Sequence, residues 1–583
     1  MKNDQSERIS AGILQALENL VVVFDRYWLL FFMVLAGLLT WRLWTDALVS
    51  NHDADVHLIR VVGVLRSWQE GYFSCRWYFD VGFGQGYPLL NYYAPLFYYL
   101  SALFALLFHH PVAGMNTVLV LGFLFSGICM YFFARELFGK PAGLVAAVAY
   151  MFAPYHIWCA YHSGYFTMFL AASFLPFVWL SFLRAYQNPG YNRFLLATGS
   201  FAILLLMHIL LSWVCIVLLG LFLAVMYFEG ECRHHRGLIV AGLAIPAGLG
   251  LAAFFILPGL MEGGYVSISA VLKQQQFDYH YHFLTWKQVL WNAWTNGIHS
   301  EHSFMLGYAH VIVGGFTLVL FLFFYHQSRK IIWLVSLFGF CALGFVFIMS
   351  RESVGLWDSL SFAFRYFQGS WRFFYFLVFF VSLLTGAFVV MFSERWRPLA
   401  AIVLMAIFII LNIGHTTPSR APITFEKGSI NNYAEWLYER WPGDGMEYVP
   451  VWVKRILPFP PKEKFSILKG DGRIDVVNGR PRGGYGLRVL ATRTCLISFN
   501  HWYFPGWKVF VDGKEEQIHY ENDFGYIMFG LLPGNHDVLI RFDDTPPRTT
   551  GKIISLATVF LLFIGWGVLF FRSRQRIFSP DIP

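Results

Sequence analysis

The sequence predicts a polytopic α-helical membrane protein with about twelve transmembrane helices and a C-terminal extracytoplasmic β-rich domain. Three observations lead there. The 583 residues are 57% hydrophobic and only 13% charged, with a mean hydropathy of +0.52, whereas a soluble domain carries about 25% charged residues. Apolar runs of about 20 residues, the length that crosses a bilayer, recur along the chain. Lys and Arg collect in alternate connections between those runs, which is the pattern that sets membrane topology. The net charge of +8 therefore does not point to nucleic acid. The seven Cys are scattered with no CxxC pair, so no disulfide framework is expected.

The elements follow in order. Residues 1–27 form a polar, partly amphipathic lead-in with Lys2, Arg8 and Arg26, placed in the cytoplasm. The first apolar run, 28–49, reads as a retained anchor, because no small-residue cleavage site follows a short apolar core. Residues 50–114 make an outer first loop, rich in Gly and aromatics, that ends with an apolar stretch at 93–108. Further runs lie at about 115–134, 142–157, 166–183, 194–209, 210–228, 237–260, 304–325, 331–349, 372–392, 398–414 and 552–571. Arg135/Lys140, Arg184/Arg193, Arg233/Arg236, Arg329/Lys330, Arg395/Arg397 and Arg572/Arg574/Arg576 belong on the cytoplasmic side. Between an outer 50–92 and an inner Arg135 there is room for one crossing. The stretch 93–108, which opens with Ala94-Pro95 and ends in His109-His110-Pro111, is therefore expected to lie on the outer surface as a juxtamembrane helix. Runs 194–209 and 210–228 are nearly fused at His208 and fit a tight hairpin lining a protein cavity.

The membrane domain thus occupies 28–414. Residues 415–550 differ: apolar runs stop, and charge, Pro and Gly rise. A short helix signal covers Asn432 to Arg440 and is followed by strand-like alternation. Trp507–Val511 with Asp512-Gly513 signals a hairpin, and Ile527–Phe529, Leu532–Asn535 and Val538–Phe542 signal a second. Residues 551–583 return through the membrane and leave a cytoplasmic tail.

Candidate chemistry concentrates in Asn51–Arg60, where two carboxylates, two imidazoles and a guanidinium follow the first apolar run. Asp53 and His57 are four apart and share a helix face, with Arg60 returning to it and Asp55 pointing elsewhere. Such a group suits deprotonation of a hydroxyl, the carboxylate taking the proton and His57 orienting it. The plain alternative is a solvated loop with a capping Asp. His52, Asp53, Asp55 and His57 are also an acceptable, if weak, ligand set for a divalent ion. Arg76 and Arg372 are candidate phosphate-binding cations at the outer headgroup level, or alternatively interface anchors. Glu262 ends run 237–260 on the outer side and offers a second acid or a metal ligand. His208, inside the membrane, is either a ligand-facing or a satisfied buried imidazole. His52, Asp55, Arg60, Arg76, His208, Glu262 and Arg372 are therefore the expected substrate- or phosphate-binding set. His280, His282, His299, His302 and His310 lie in or beside the outer loop 262–302, which is expected to close over a ligand rather than bind metal.

The order His52–His57 (HDADVH), Arg76-Trp77, Gly84–Tyr99 (GQGYPLLNYYAPLFYY), Trp371-Arg372-Phe373, Glu447–Pro450, and Tyr503–Trp507 with Asp512-Gly513-Lys514 resembles a known group of bacterial membrane proteins. The group is labelled 6-pyruvoyl-tetrahydropterin-synthase-related, is similar to the YfhO-like proteins, and resembles the GT-C glycosyltransferase superfamily. The resemblance spans nearly the whole chain. Pterin chemistry itself finds no support, since a soluble pterin synthase needs a zinc-binding His triad in a compact barrel-like enzyme. The resemblance implies a GT-C-like fold in a bacterial cytoplasmic membrane, with the active site facing the periplasm or exterior. It implies Asp53 as the catalytic base, with Arg76 and Arg372 serving the phosphate of a polyprenyl-phosphate-linked sugar. The acceptor would be a glycan, glycolipid or protein, and membrane proteins that make and flip the donor would be partners. No cofactor is required by this chemistry, although a divalent metal is compatible with it. In one departure, Tyr161–Met168 lacks the Arg-Gly and later Glu often found in the group.

The sequence thus favours a glycosyltransferase. A transporter or flippase for lipid-linked glycans is the rival, yet no inverted repeat is visible and the ionisable groups gather at the outer face rather than the midplane. A non-catalytic assembly protein whose β-rich domain binds envelope polymer is the third reading.

Overall fold

The computed structural model describes residues 15–229, 234–290, 305–325, 328–418, 421–424, 446–457, 459–479 and 484–578. Eight helices among them are long and apolar enough to cross a membrane, or up to ten if each of two bent pairs counts as one span. The bent pairs are Gln15–Arg26 with Trp28–Leu43 and His235–Leu251 with Ala253–Met261. Three more apolar helices, Leu96–Phe108, Tyr191–Met207 and Tyr308–Phe321, are shorter. The chain is a multi-pass membrane protein, and the number of full-length spans falls below the expected twelve because Tyr191–Met207 and Tyr308–Phe321 stop short of about 18 residues.

The chain divides into two compact units. The first is Met1–Ala54, Asn116–Gly248 and Gln275–Thr424. Its spans Lys140–Ser163, Phe166–Gln187 and Ser370–Met391 are almost wholly enclosed by protein. Small residues make that possible: a Cβ on Gly386 would meet the Ala142 carbonyl at 2.7 Å. Asp25 binds Arg135 at 2.8 Å and Lys140 at 2.5 Å. These contacts join the lead-in to the 135–140 connection, two segments that the charge pattern places on one side. Arg184 reaches Glu136 at 2.8 Å, between connections of that same set.

The second unit is Asp55–Met115, Leu249–Gln274 and Phe425–Pro583. The start of the outer first loop is not a loop. It is the helix Ala54–Gln69, whose apolar positions Leu58, Val61, Val62 and Leu65 are buried. Helix Leu96–Phe108 buries Phe97, Tyr98, Ser101, Ala102 and Ala105 while Leu103, Leu106, Leu107 and Phe108 are exposed. His109, left-handed at φ 55°, ends that helix.

Eight strands are described: β1 Phe465–Lys469, β2 Gly472–Gly479, β3 Gly484–Ala491, β4 Cys495–Trp502, β5 Trp507–Val511, β6 Lys514–Glu516, β7 Tyr526–Leu531 and β8 Gly534–Phe542. They form a three-stranded sheet, β1-β4-β7, and a five-stranded sheet, β2-β3-β8-β5-β6. Every pairing is antiparallel. The first expected hairpin is present, with Asp512 and Gly513 both at positive φ between β5 and β6. The second is not. β7 and β8 lie in different sheets, so the Leu532-Pro533 connection carries the chain from one sheet to the other. Strand alternation marks both strands but does not say which neighbour each takes. The helix expected over 432–440 lies outside the described residues.

The glycine-rich run 82–88 seats the strands of its own unit. Gly82, Phe83, Gly84 and Gly86 all have positive φ. This coil presents Gln85, whose Oε1 accepts from Trp502 Nε1 at 3.1 Å and from the Tyr526 hydroxyl at 2.9 Å.

Candidate active site

Asp53 sits in a turn made by its own neighbours. Asn51 Oδ1 accepts the Ala54 N–H at 2.8 Å, capping helix Ala54–Gln69. The turn is stitched to the end of the enclosed span Lys140–Ser163: Asp53 N–H donates to the Ser163 carbonyl at 3.2 Å and His52 N–H to that of His162 at 3.4 Å. That span ends in a π-turn, Cys159–Ser163, and a left-handed Gly164 at φ 76°. A Cβ on Gly164 would meet Asn51 Oδ1 at 2.5 Å and the Asp53 nitrogen at 2.9 Å. Only glycine allows this approach. The Asp53 carboxylate is left 27% exposed, with His52 Nδ1 at 2.7 Å from Oδ1.

Arg372 stands in the turn Ser370–Phe373 that opens another enclosed span. It donates to Gln368, and its buried Nε has no hydrogen-bond partner. Tyr165, which begins the third enclosed span, lies within electrostatic reach of both charges. Burial pushes its hydroxyl above the usual phenol range, the Asp53 carboxylate adds to that, and the Arg372 guanidinium opposes it. The charge of Arg372 also reaches His208. His208 is the single extended residue between helices Tyr191–Met207 and Ile209–Glu229. Its Nδ1 accepts the Leu211 N–H at 3.3 Å, so the ring also caps the second helix. One unit thus gathers Asp53, Tyr165, Arg372 and His208 around the ends of its most enclosed helices.

The other expected residues have different surroundings. His57 Nδ1 lies 2.9 Å from the Tyr98 hydroxyl, which accepts from Arg60 Nη1 at 2.9 Å. Arg60 also lies over the Tyr93 ring at 4.4 Å from its centroid. Asp53 precedes the helix that carries His57, with His52 beside the one and Tyr98 beside the other. Asp55 Oδ1 accepts the Val56 N–H at 2.8 Å in the first helical turn, where a carboxylate is favoured. Among the described residues no three His, Cys, Asp or Glu side chains are placed to hold a metal ion.

Arg76 and Glu262 share a network within the second unit, in which Arg76 Nε, like that of Arg372, is buried without a hydrogen-bond partner. Glu262 is 1% exposed, and its Oε2 accepts from Asn91 at 2.7 Å and from Arg548 Nη2 at 3.0 Å. Thr545 donates to Oε1. Arg76 donates to Asn91 Oδ1 at 3.0 Å and to the Phe254 carbonyl at 2.6 Å. These partners tie the outer first loop to the final helix of the same unit. Of the outer histidines, His280 bridges Asp278 and Asp358, His282 meets Trp371 edge-on at 5.0 Å, and His310 is buried against the Ala149 carbonyl. His299 and His302 lie outside the described residues.

Sequence reasoning missed Asn51, Gly164, Tyr165, Tyr98 and Arg548. Asn51 three residues before a helix start is a legible cap. Nothing local marks the others, since each acts through a partner far away in the chain.

Known proteins supply the comparison. The cryo-EM structure of the arabinofuranosyltransferase AftD from Mycobacteria is similar over 71% of this chain at 13% identity, with a TM-score of 0.45. The match covers 30% of the AftD chain, so this protein spans under a third of that relative's length. The crystal structure of the Archaeoglobus fulgidus oligosaccharyltransferase is similar over 73% of this chain and 61% of its own, at 14% identity and a TM-score of 0.44. ArnT from Cupriavidus metallidurans, bound to undecaprenyl phosphate, matches over 70% of this chain and 75% of its own, at 13% identity and a TM-score of 0.39. No curated protein matches the chain. The family model described as 6-pyruvoyl-tetrahydropterin synthase related domain, membrane protein, matches residues 90–419. The chain belongs to this 6-pyruvoyl-tetrahydropterin synthase related family of membrane proteins.

Proposed function

We propose that the protein is an inverting glycosyltransferase that moves a sugar from a polyprenyl phosphate to an acceptor hydroxyl. The observation that carries this reading is a partly buried carboxylate, Asp53, pinned by backbone in the same unit as an incompletely partnered cation, Arg372, with Tyr165 in reach of both. A base and an anion site gathered in this way suit displacement at a phosphate-bearing carbon. Asp53 takes the proton of the acceptor hydroxyl, and the oxygen attacks the anomeric carbon. The bond from that carbon to the phosphate oxygen breaks, and the phosphate leaves with the electron pair. Arg372 offsets the charge that develops there, as preorganised donors do. The chemistry calls for no cofactor. The reading places the protein in a bacterial cytoplasmic membrane with this site facing the exterior or periplasm, and takes a glycan, glycolipid or protein as acceptor. Enzymes that make and flip the donor are its expected partners.

The test is transfer of radiolabelled sugar from polyprenyl phosphate to an acceptor in proteoliposomes. Wild type should transfer, and Asp53→Asn should insert and fold but fail to transfer. Full activity in that variant would overturn the role of Asp53.

A further inference from the structure

We propose that the Tyr165 hydroxyl donates a hydrogen bond to the phosphate monoester that Arg372 binds, completing an anion site from one charged and one neutral donor. This rests on the transferase reading above and names a residue that neither the sequence motifs nor the family match assigns.

Tyr165 follows Gly164 directly, so the left-handed step that seats the Asp53 turn also fixes where the Tyr165 ring begins. Its N–H donates to Ser163 Oγ at 3.3 Å. Its ring meets Trp158 edge-on at 5.7 Å, and Trp158 stacks on Tyr155 at 5.7 Å. The Tyr155 hydroxyl donates to the Trp371 carbonyl at 3.1 Å, next to Arg372 in the chain. A row of aromatic contacts thus holds Tyr165 against the segment that carries the cation.

The donors there are uncommitted. Arg372 uses one amino group on Gln368 and leaves its buried Nε without a partner. The Trp371 side chain also bears on the phenol, and an indole can only donate. A phenol is protonated at neutral pH, and burial pushes this one's pKa further up. No charged residue occurs in Tyr161–Met168. A second cation here would pair with Asp53 and withdraw the base, whereas a phenol binds an anion without neutralising its neighbour. A guanidinium Nε with a phenol proton suits the several acceptor oxygens of a phosphate.

The experiment measures binding without turnover, using purified full-length protein in nanodiscs. Undecaprenyl phosphate is the probe, undecaprenol is the uncharged control, and inorganic phosphate is the competitor. Tyr165→Phe, which keeps the ring and its packing, should weaken undecaprenyl phosphate binding about tenfold, the loss expected for a hydrogen bond to a charged group. It should leave undecaprenol binding unchanged. Arg372→Ala should lose still more. Competition by inorganic phosphate would identify the bare anion as sufficient, and its absence would assign the site to the lipid headgroup; either result agrees with the inference. Wild-type affinity in Tyr165→Phe overturns it. So does an equal loss for undecaprenol, which would mark a packing role. A wild type that binds the lipid but transfers no sugar refutes the transferase reading and leaves this inference standing.

Discussion

Two charged clusters, one in each unit, differ in how completely their bonds are used. Around Glu262 both carboxylate oxygens accept hydrogen bonds, from Asn91, Arg548 and Thr545, and Arg548 is 0% exposed. Around Asp53 and Arg372 the carboxylate is 27% exposed and the guanidinium has a buried Nε with no partner. A saturated buried pair has little left with which to hold a ligand, and breaking it leaves a bare charge in a dry site. A cluster with spare donors and acceptors is held in place by other means, here backbone bonds and a glycine, and keeps its polar groups for a substrate. Sequence reasoning put Glu262, Arg76, Asp53 and Arg372 in one functional set, because each is an ionisable residue expected on the outer side of the membrane. Their partners set Glu262 apart, while Arg76 shares with Arg372 a buried Nε that has no hydrogen-bond partner.

The largest effects expected fall on rate in one cluster and on stability in the other. Asp53→Asn should lower sugar transfer by about 10²–10⁴-fold, the usual contribution of a positioned general base, with thermal unfolding unchanged. Arg548→Ala should lower stability by about 3–5 kcal/mol, as loss of one member of a buried pair does. Wherever that variant remains folded, its transfer rate should match wild type. Thermal unfolding and transfer assays on both variants test the contrast. Slow transfer in folded Arg548→Ala would join Glu262 to the reaction, and a destabilised Asp53→Asn would make Asp53 a structural residue.

Gly164→Ala comes next, and it tests whether backbone alone holds the Asp53 turn. A Cβ at φ 76° is strained and would press on Asn51 Oδ1 and the Asp53 nitrogen. The strain should amount to about 1–3 kcal/mol. The turn must then shift, and misplacement by about 1 Å is enough to lose some 10²-fold in rate. The expected signature is kcat falling by more than undecaprenyl phosphate affinity does, because Arg372 does not move and only the Tyr165 contact, next in the chain to Gly164, is disturbed. Unchanged kcat would show that Asp53 keeps its position without the close approach, or that its position does not matter.

What was legible followed from periodicity and charge. The apolar runs gave the membrane helices, alternate Lys and Arg gave a sidedness that Asp25, Arg135 and Lys140 support by pairing, and Asp512-Gly513 gave its hairpin. Asp53 stood out because it lies in a dense run of ionisable residues. What was hidden depends on distant partners. Gly84-Gln85-Gly86 read only as part of a glycine- and aromatic-rich loop, yet Gln85 is the seat for Trp502 and Tyr526 more than 400 positions later in the chain. Glu262 read as an acid until Arg548 and Asn91 enclosed it. β7 and β8 were each visible, but the sheet to which each belongs is set by long-range pairing that alternation does not encode.

The smallest effect expected separates a titrating clamp from a permanent one. His280 lies between Asp278 at 2.5 Å and Asp358 at 3.0 Å in the unit that holds Arg372. The hydrogen bond to Asp278 raises its pKa above the usual imidazole value; burial opposes this, and Asp358 adds to it. The sign follows from linkage. A folded-state pKa above that of the unfolded chain means that the clamp's contribution is fully present below about pH 6.5 and fades as pH rises through the raised value. Solvent screening at a 47% exposed ring keeps that contribution near about 0.5 kcal/mol. The neighbouring His282 rests on Trp371, and its carbonyl accepts from Ser370 at 2.9 Å, so loosening at His280 is felt beside Arg372. The hydrogen-bond partners of Glu262 named above include no imidazole, and that network should not respond. Hydrogen exchange across residues 276–284 should therefore quicken between pH 6 and 8.5, once corrected for the intrinsic rate, while exchange at 546–555 stays flat. His280→Gln should abolish the difference. A pH-dependent rate that survives in that variant would assign the titration to another group and leave the clamp without a role.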